Sequence, residues 1–367
     1  MGKQALYTKY RPFQLDDMVG QDNTVQTLKQ ASKHNKFAHA YVLVGNKGCG
    51  KTTTARILAN LLTCKNPKNG VLCGTCTACI TVPHDTAMDV IELDGAANGN
   101  VEHVNSLIEG AQWNPNILDR KVYIVDECHQ LSGKAISALL KIVEEPPEYL
   151  TFIFCTTEPH KIPDTILSRA QRFIYRKLFM KDITSRLRYI ADSEEIKITD
   201  EALFAIAKLS RGCMRDAIVP LEQISTFIEK EEINGSDVYK YFGMPDRQGI
   251  LQICKAMVEG NISLVLDQAN DMVVASADVS SIAYEVSEAF RSITLLKAQG
   301  GDSKWVDIPD HEIEQLKKIG LSLKLGQLDK MSKLFSTLKK ELEYSINERW
   351  VLESTLIHCT ALLRKKQ

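Results

Sequence analysis

The chain has 367 residues and a formal net charge of −1, with 44% hydrophobic and 25% charged residues. This length fits two or three domains with their own cores, and the balanced charge excludes an overall basic field that would attract nucleic acid. The sequence contains neither an apolar N-terminal signal nor a run of eighteen apolar residues, so we expect a cytoplasmic protein without membrane association. In that reducing compartment, the ten cysteines argue against a disulfide framework.

The first twenty-one residues are predicted to form an extended entry, because Tyr10-Arg11-Pro12 cannot continue a helix. Asp22 is expected to cap the helix that follows, in which Val25 and Leu28 recur at helical spacing.

A phosphate-binding loop is predicted next, between the strand-like run Tyr41-Val42-Leu43-Val44 and a helix-like stretch from Thr53 to Leu62. The loop reads Gly45-Asn46-Lys47-Gly48-Cys49-Gly50-Lys51-Thr52, which is the pattern G-x-x-x-x-G-K-T. Its glycines let successive backbone N–H groups face phosphate oxygens, and the helix presents its positive end to the same anion. Lys51 is predicted to bind the β- and γ-phosphates, and the Thr52 hydroxyl to bind Mg²⁺. We therefore expect residues 45–53 to bind a nucleoside triphosphate.

A cluster of cysteines follows the loop's helix with the spacing C-x8-C-x2-C-x2-C. It comprises Cys64, Cys73, Cys76 and Cys79. Thiolates at this spacing can converge on one tetrahedral Zn²⁺ ion, whereas the alternative is four unrelated thiols. Four sulfur ligands leave no open position for water, so a structural zinc module is predicted at 64–79.

Strands and helices then alternate along the chain. The predicted strands are Val90–Leu93, Val122–Val125, Phe152–Cys155 and Phe173–Tyr175, and the predicted helices are Val101–Ala111 and a helix capped by Ser132 that ends at Pro146-Pro147. Strands separated by helices indicate a parallel, doubly wound α/β sheet with ligands at the carboxyl ends of the strands.

Two carboxylates stand at one such strand end. Asp126 is predicted to reach the Mg²⁺ shell through water, and Glu127 to orient and activate a water molecule against the γ-phosphate. An apolar run followed by Asp-Glu is a weak signal alone, but it is strong after a phosphate loop. The neighbouring His129 is interpreted as structural.

Three further residues are candidates for the same chemistry. Thr157, preferred over Thr156, ends the next strand and could sense the γ-phosphate, although threonines also simply suit strands. Arg169 is either a surface arginine or a phosphate ligand, and its segment Lys161–Ile190 holds eight Lys or Arg against two Asp. Arg215 begins a helix and is a second arginine candidate.

Strand signals fade after about residue 180. Short amphipathic helices are predicted to form a lid at 179–243, and residues 244–367 are helix-like almost throughout, without a chemical motif. Such a block is usually a packing or oligomerisation module.

These motifs together resemble one family. They are Tyr10-Arg11-Pro12, Val19-Gly20-Gln21, the phosphate loop, the four cysteines, Asp126-Glu127-Cys128-His129, Leu139-Leu140-Lys141, Glu144-Glu145-Pro146-Pro147, Thr156-Thr157-Glu158-Pro159, Leu167-Ser168-Arg169 and Met214-Arg215-Asp216. The chain closely resembles the bacterial DNA polymerase III gamma/tau family, which are the AAA+ ATPases of sliding-clamp loaders. The match is dense over residues 1–243 and weak beyond.

The resemblance implies a fold and roles for individual residues. Residues 1–178 would be an α/β AAA+ P-loop domain with a zinc-binding insertion, 179–243 a small helical lid and 244–367 an all-α collar. Thr157 would be sensor 1, Arg169 an arginine finger serving a neighbouring subunit, and Arg215 sensor 2. The residues expected near the adenine of ATP are Tyr10, Arg11 and Val19.

The implied activity is ATP-driven opening and loading of a sliding clamp on primer–template DNA during replication. The implied partners are delta-like and delta-prime-like loader subunits and copies of the chain itself in a five-subunit ring. The sequence given stops at residue 367, before the long tail of the tau form, so we expect a gamma-length product, a truncated form or a viral relative.

Two alternatives remain open. Another AAA+ DNA-remodelling motor would lack the cysteine cluster. A catalytically silent scaffold subunit of the same loader is disfavoured by the intact Lys51, Thr52 and Glu127.

Overall fold

The computed structural model describes residues 4–84, 86–228, 231–301, 305–306, 308 and 310–363. These residues divide into two compact units. The first unit lies within Met1–Glu195 and Ile206–Gln223, and the second within Ile196–Ala205 and Ile224–Gln367. The predicted division at 178 and 243 differs from these units and stays a prediction.

The first unit is built on a five-stranded sheet. Its strands are β1 (Ala40–Val44), β2 (Val90–Asp94), β3 (Lys121–Asp126), β4 (Leu150–Thr156) and β5 (Gln171–Ile174). The spatial order is β2-β3-β4-β1-β5, and every neighbouring pair is parallel. The predicted parallel α/β sheet is therefore confirmed. The last strand is displaced from its predicted position: β5 begins at Gln171 and ends before Tyr175.

The described helices are α1 (Leu6–Lys9), α2 (Asp22–His34), α3 (Lys51–Thr63), α4 (Thr77–Thr81), α5 (Gly95–Asn98), α6 (Val101–Ala111), α7 (Gly133–Glu144), α8 (Asp164–Leu167), α9 (Met180–Ser193), α10 (Asp200–Leu209), α11 (Met214–Phe227), α12 (Gly235–Tyr241), α13 (Arg247–Glu259), α14 (Ile262–Val274), α15 (Val279–Ala298), α16 (Asp310–Gly320), α17 (Leu325–Tyr344) and α18 (Glu348–Leu363). Among the described residues, no helix is both long and apolar enough to span a bilayer.

Two local expectations at the N-terminus are wrong. The extended entry contains the four-residue helix α1, which ends just before Tyr10. The N-cap of α2 is Gln21, not Asp22. Asp22 is the first helical residue, where its carboxylate faces the positive end of the helix. By contrast, the Ser132 hydroxyl accepts the Ala135 N–H and caps α7 as predicted.

Helices cover both faces of the sheet because alternate residues of a buried strand point in opposite directions. On β1, Val42 and Val44 pack with residues of α6 and α7, whereas Tyr41 and Leu43 pack with residues of α2 and α3. All five residues of β1 are buried. The central strands are therefore fixed from both sides, and their carboxyl ends form a rigid edge.

The second unit has a helical core formed by α13 to α18. Asp246, Asn261 and Asp278 cap α13, α14 and α15 by accepting backbone N–H groups. The Arg247 guanidinium lies 3.1 Å from Glu285 Oε2 and 2.8 Å from Glu312 Oε2. Both carboxylates are buried, and the Arg247 side chain is 12% exposed. This ion cluster ties α13 to α15 and α16.

Candidate functional site

The phosphate loop occupies the turn between β1 and α3. Gly48 and Gly50 have φ angles of 71° and 102°, which side chains rarely adopt. A Cβ at Gly48 would also stand 2.0 Å from the Sγ of Cys213, just before α11. Glycine is therefore required at Gly48 by both its backbone angle and its close neighbour.

The Lys51 side chain is buried and folds back over the loop. Its ammonium donates to the carbonyl oxygens of Gly45 at 2.8 Å and Asn46 at 3.0 Å. Phosphate oxygens carry negative charge, so they would attract this ammonium more strongly than the neutral carbonyl oxygens do. The lysine is thus already held at the loop where a phosphate group would bind.

Thr52 and Asp126 meet beneath the loop. The Thr52 hydroxyl donates to Asp126 Oδ2 at 2.7 Å, and Asp126 Oδ1 accepts the Glu127 N–H at 2.9 Å. Asp126 is the last residue of β3, and its register partner on β2 is Asp94. A hydroxyl beside a carboxylate is an oxygen donor set that suits Mg²⁺.

Glu127 adopts a left-handed backbone conformation, with a φ of 45°. Such a conformation costs about 1–3 kcal/mol for a residue other than glycine and clusters at functional sites. Within the part of the chain described, the buried Oε2 of Glu127 has no hydrogen-bond partner. The Nδ1 of His129 lies 3.5 Å from it. This carboxylate oxygen is therefore buried without a hydrogen bond from the described protein groups.

The carboxyl end of β4 lies beside these carboxylates. Thr156 is fully buried, and its hydroxyl contacts His129 Nδ1 at 3.2 Å and accepts the Glu158 N–H at 2.9 Å. Thr157 follows the strand and is half-buried. Since Thr156 is occupied by local contacts, Thr157 remains the better candidate for a phosphate sensor.

A cavity opens above the loop and carboxylates. Most of the predicted nucleotide-binding residues line it, namely Tyr10, Arg11, Val19, Lys47, Gly48, Cys49, Gly50, Lys51, Thr52, Thr53, Asp126, Glu127 and Arg215. Gly45 and Asn46 do not line the cavity, but their carbonyl groups hold Lys51. Thr157 and Arg169 are also absent from its lining.

Sequence reasoning missed seven lining residues. They are Tyr7, Pro12, Met18, Leu178, Arg186, Met214 and Ile218. Arg186 belongs to the basic segment noted in the sequence, and that excess of positive charge was its only available signal. The others are apolar or aromatic residues whose types resemble those of an ordinary core.

The N-terminal segment forms one wall of this cavity. The Tyr10 hydroxyl donates to Glu194 Oε1 at 2.5 Å, and the Tyr10 carbonyl accepts from Arg186 Nη2 at 3.1 Å. The Arg215 guanidinium lies 4.8 Å from the centre of the Tyr7 ring. Contacts with residues at α9 and α11 thus hold the N-terminal segment, in which Tyr10 and Arg11 are predicted to contact adenine.

Arg169 lies on the surface after α8. Its side chain is 41% exposed, donates to the Thr165 carbonyl at 3.0 Å and pairs with Glu144 at 3.2 Å. It is therefore accessible to a neighbouring molecule, while it makes no contact with the cavity of its own chain.

The four predicted zinc ligands converge. The Sγ atoms of Cys64, Cys73, Cys76 and Cys79 all lie within 4.8 Å of one another, and this is the one such group of potential metal ligands among the described residues. Three sulfur pairs are separated by 3.6, 3.8 and 3.9 Å. A tetrahedron with Zn–S bonds of about 2.3 Å has sulfur–sulfur edges of about 3.8 Å. Three of the six sulfur–sulfur distances therefore match those of a tetrahedral Zn²⁺ site.

The protonation of these thiols is uneven. Hydrogen bonds from the backbone N–H groups of Thr75 and Cys76 lower the pKa of Cys73 to about 6. Burial raises the pKa of Cys64 and of Cys79. A divalent cation would have to displace protons from these two buried thiols, because only thiolates bind it well.

Comparisons with known proteins give the chain its relatives. Residues 20–179 match the family model described as DNA polymerase III, delta subunit, and residues 233–367 match the model described as DNA polymerase III subunits gamma and tau domain III. DNA polymerase III subunit tau of Bacillus subtilis is 36% identical over 82% of this chain and 53% of its own length. DNA polymerase III subunit gamma of Buchnera aphidicola is 29% identical over the whole of both chains.

A solved structure of the Thermotoga maritima RuvB Holliday junction branch migration motor aligns with a TM-score of 0.49 and 22% identity, over 68% of this chain and 80% of the other. The chain spans about half the length of the tau relatives it matches. Two family models that follow one another along the sequence, and gamma and tau relatives that cover most of it, agree with the motifs at the nucleotide site. The chain therefore belongs to the DNA polymerase III gamma/tau family.

Proposed function

We propose that this chain is an ATPase subunit of a DNA polymerase III clamp loader. It uses ATP binding and hydrolysis to open a sliding clamp and load it on primer–template DNA during replication. The observation that carries this proposal is the 2.7 Å hydrogen bond between Thr52 and Asp126 below the loop. This bond connects the phosphate loop with the carboxylate at the end of β3, which are the two parts of the proposed nucleotide and magnesium site.

The residues around this bond have separate tasks. Backbone N–H groups of residues 47–53 and the Lys51 ammonium bind the phosphates, and Thr52 and Asp126 hold Mg²⁺, which when bound neutralises charge on the phosphate oxygens. Glu127, which lines the cavity, orients the attacking water with its carboxylate. Thr157 senses the γ-phosphate, and Arg215 leaves the Tyr7 ring to meet the nucleotide. The adenine lies against Tyr10, Arg11 and Val19.

Arg169 serves the nucleotide site of a neighbouring subunit. Its exposure and its absence from the cavity of its own chain support a role across an interface. The guanidinium would stabilise the charge that develops as the γ-phosphoryl group is transferred. Hydrolysis would then depend on assembly, with copies of this chain, delta-like and delta-prime-like subunits in a five-subunit ring whose collar is the helical region 244–367.

The cysteine cluster is proposed to bind one structural Zn²⁺. Its sulfur–sulfur distances support this, and so does its small local core of Ala78, Val82 and Leu118. This core is too small to hold the 64–79 segment by apolar burial alone, so the metal would supply much of the module's stability. We further propose that the assembled loader works in the cytoplasm.

The decisive experiment measures ATP hydrolysis by the chain with the delta, delta-prime and clamp proteins of its source organism. Hydrolysis should rise when clamp and primed DNA are added together, and clamps should become linked to circular primed DNA. Glu127→Gln should abolish both while ATP binding persists. Absence of stimulation by clamp would favour another AAA+ motor, and absence of ATP binding would favour a silent scaffold subunit.

A further inference from the structure

A closed set of contacts surrounds the imidazole of His129. The Glu158 N–H donates to the Thr156 hydroxyl oxygen at 2.9 Å, and this oxygen lies 3.2 Å from His129 Nδ1. On the other side of the ring, Nε2 lies 3.2 Å from Glu158 Oε1. The His129 side chain is only 6% exposed. Its two nitrogens therefore face fixed protein groups and not bulk water.

These contacts favour one tautomer of the ring. A carboxylate only accepts hydrogen bonds, so Glu158 favours a proton on Nε2. The Thr156 oxygen accepts the Glu158 N–H and still has a hydrogen that it can donate to a bare Nδ1, so this contact accommodates the same tautomer. With Nε2 protonated and Nδ1 bare, each of these donors has an acceptor.

The tautomer of His129 determines whether Glu127 faces an N–H group or a bare ring nitrogen. Its buried Oε2 lies 3.5 Å from Nδ1 and has no hydrogen-bond partner among the described groups. A bare Nδ1 has no hydrogen to donate to that oxygen. In the opposite tautomer an N–H group would stand beside Oε2, and a carboxylate that accepts such a bond is a weaker base.

The other charged groups near the ring contact its partners. Glu158 Oε2 pairs with Lys161 at 3.0 Å and lies 3.6 Å from His160 Nε2, and both of these side chains are exposed. The hydrogen bond from Lys161 lowers the pKa of Glu158, so this carboxylate is ionised at neutral pH. The Glu158 oxygen that faces His129 is Oε1, so the imidazole and Lys161 contact different oxygens.

We propose that Glu158 and His129 are positioning residues for ATP hydrolysis. Glu158 fixes the imidazole with its proton on Nε2, and in this form the ring donates no hydrogen bond to Glu127 Oε2. The Glu127 carboxylate, which lines the cavity, then keeps its strength as a base toward the attacking water. The inference rests on the proposed ATPase function and assigns His129 a part in it, where the sequence pattern was interpreted as purely structural.

Two substitutions of Glu158 separate this role from simple packing. In Glu158→Gln the amide oxygen still accepts from Nε2, so kcat should stay within about twofold of wild type. In Glu158→Ala the acceptor is lost and the proton distributes over both nitrogens. The kcat should then fall about tenfold, and the ATP Kd should be unchanged. This loss is smaller than the 10²–10⁴-fold rate effect typical of removing a general base itself. Lys161→Ala removes the exposed ion pair of Glu158 and is the matched control with normal kcat.

The tautomer is measured directly on the full chain labelled with ¹⁵N-histidine. Long-range ¹H–¹⁵N spectra distinguish a bare from a protonated ring nitrogen, and the signal lost in His129→Gln identifies the residue. Wild type and Glu158→Gln should show a bare Nδ1, and Glu158→Ala a mixture. A protonated Nδ1 in wild type at pH 7.5 would overturn the inference.

Failure of this inference differs from failure of the proposed function. If the wild-type complex hydrolyses ATP normally and Glu158→Ala is as fast, the positioning role is wrong and the ATPase assignment stands. If the wild-type complex shows no hydrolysis stimulated by clamp and DNA, the proposed function fails, and the positioning role fails with it.

Discussion

Replacing Arg169 with alanine tests whether hydrolysis occurs at a subunit interface. An arginine that meets the transferring phosphoryl group contributes about 10³–10⁵ in turnover, or about 4–7 kcal/mol. The cost of releasing Arg169 from its own chain is small by comparison. Its pair with Glu144 is exposed on both sides, and such pairs are worth about 0–1 kcal/mol. The internal ion pair therefore reduces the finger's availability by about fivefold at most.

Arg169→Ala should consequently bind ATP with normal affinity as an isolated chain and fail to hydrolyse it in the assembled complex. ATP affinity is measured by fluorescence titration, and turnover by phosphate release with clamp and primed DNA. Arg172→Ala is the matched control, because Arg172 is an exposed arginine on β5 of the same basic segment. It should leave turnover within about twofold, as expected for surface substitutions.

A mixing experiment gives the sharper outcome. Rings assembled from Arg169→Ala and Lys51→Ala chains should recover part of the activity, because a Lys51→Ala neighbour supplies an intact Arg169 to a site with an intact phosphate loop. Mixed rings that demonstrably form without recovery, together with weakened ATP binding by isolated Arg169→Ala, would refute action in trans.

Three further outcomes are expected. Glu127→Gln should retain ATP affinity and lose at least about 10²-fold in single-turnover hydrolysis; near-normal hydrolysis would remove Glu127 from its assigned role. Purified protein should contain about one equivalent of zinc by elemental analysis, and Cys73→Ser should lower it; since metal binding displaces thiol protons, zinc affinity should decrease as pH falls. Arg247→Met should lower the free energy of unfolding by about 3–5 kcal/mol, because Glu285 and Glu312 would remain buried without their partner; a smaller loss in chemical denaturation would mean that water reaches them.

The sequence predicted the parts of the site that are contiguous. The phosphate loop needs one run of residues for its turn, its positive φ angles and its lysine, so its pattern is visible directly. The strand ending at Asp126 was recognisable for the same reason, since a buried run must precede a carboxylate at the sheet edge. The convergence of the cysteines also follows from short spacing within one segment.

Residues that meet only through the tertiary fold were not predictable in this way. The contact of Tyr10 with Arg186 joins positions 176 residues apart, and the Leu6 N–H donates to Glu222 across 216 residues. No local periodicity encodes such pairs. The strand order likewise depends on how crossovers pack, and alternation alone predicts only parallel pairing. His129 illustrates a third case, because its contacts to Thr156 and Glu158 become visible only once β3 and β4 are neighbours.

The close approach of Cys213 to Gly48 has a mechanical consequence. The sulfur fills the space in which a side chain at Gly48 would lie, so the loop and the start of α11 have no slack between them. A Cβ built at Gly48 also lies 3.6 Å from the Cβ of Arg215. Gly48→Ala would therefore have to displace the sulfur and the start of α11, and the substitution would disturb both the loop and the Arg215 side of the cavity.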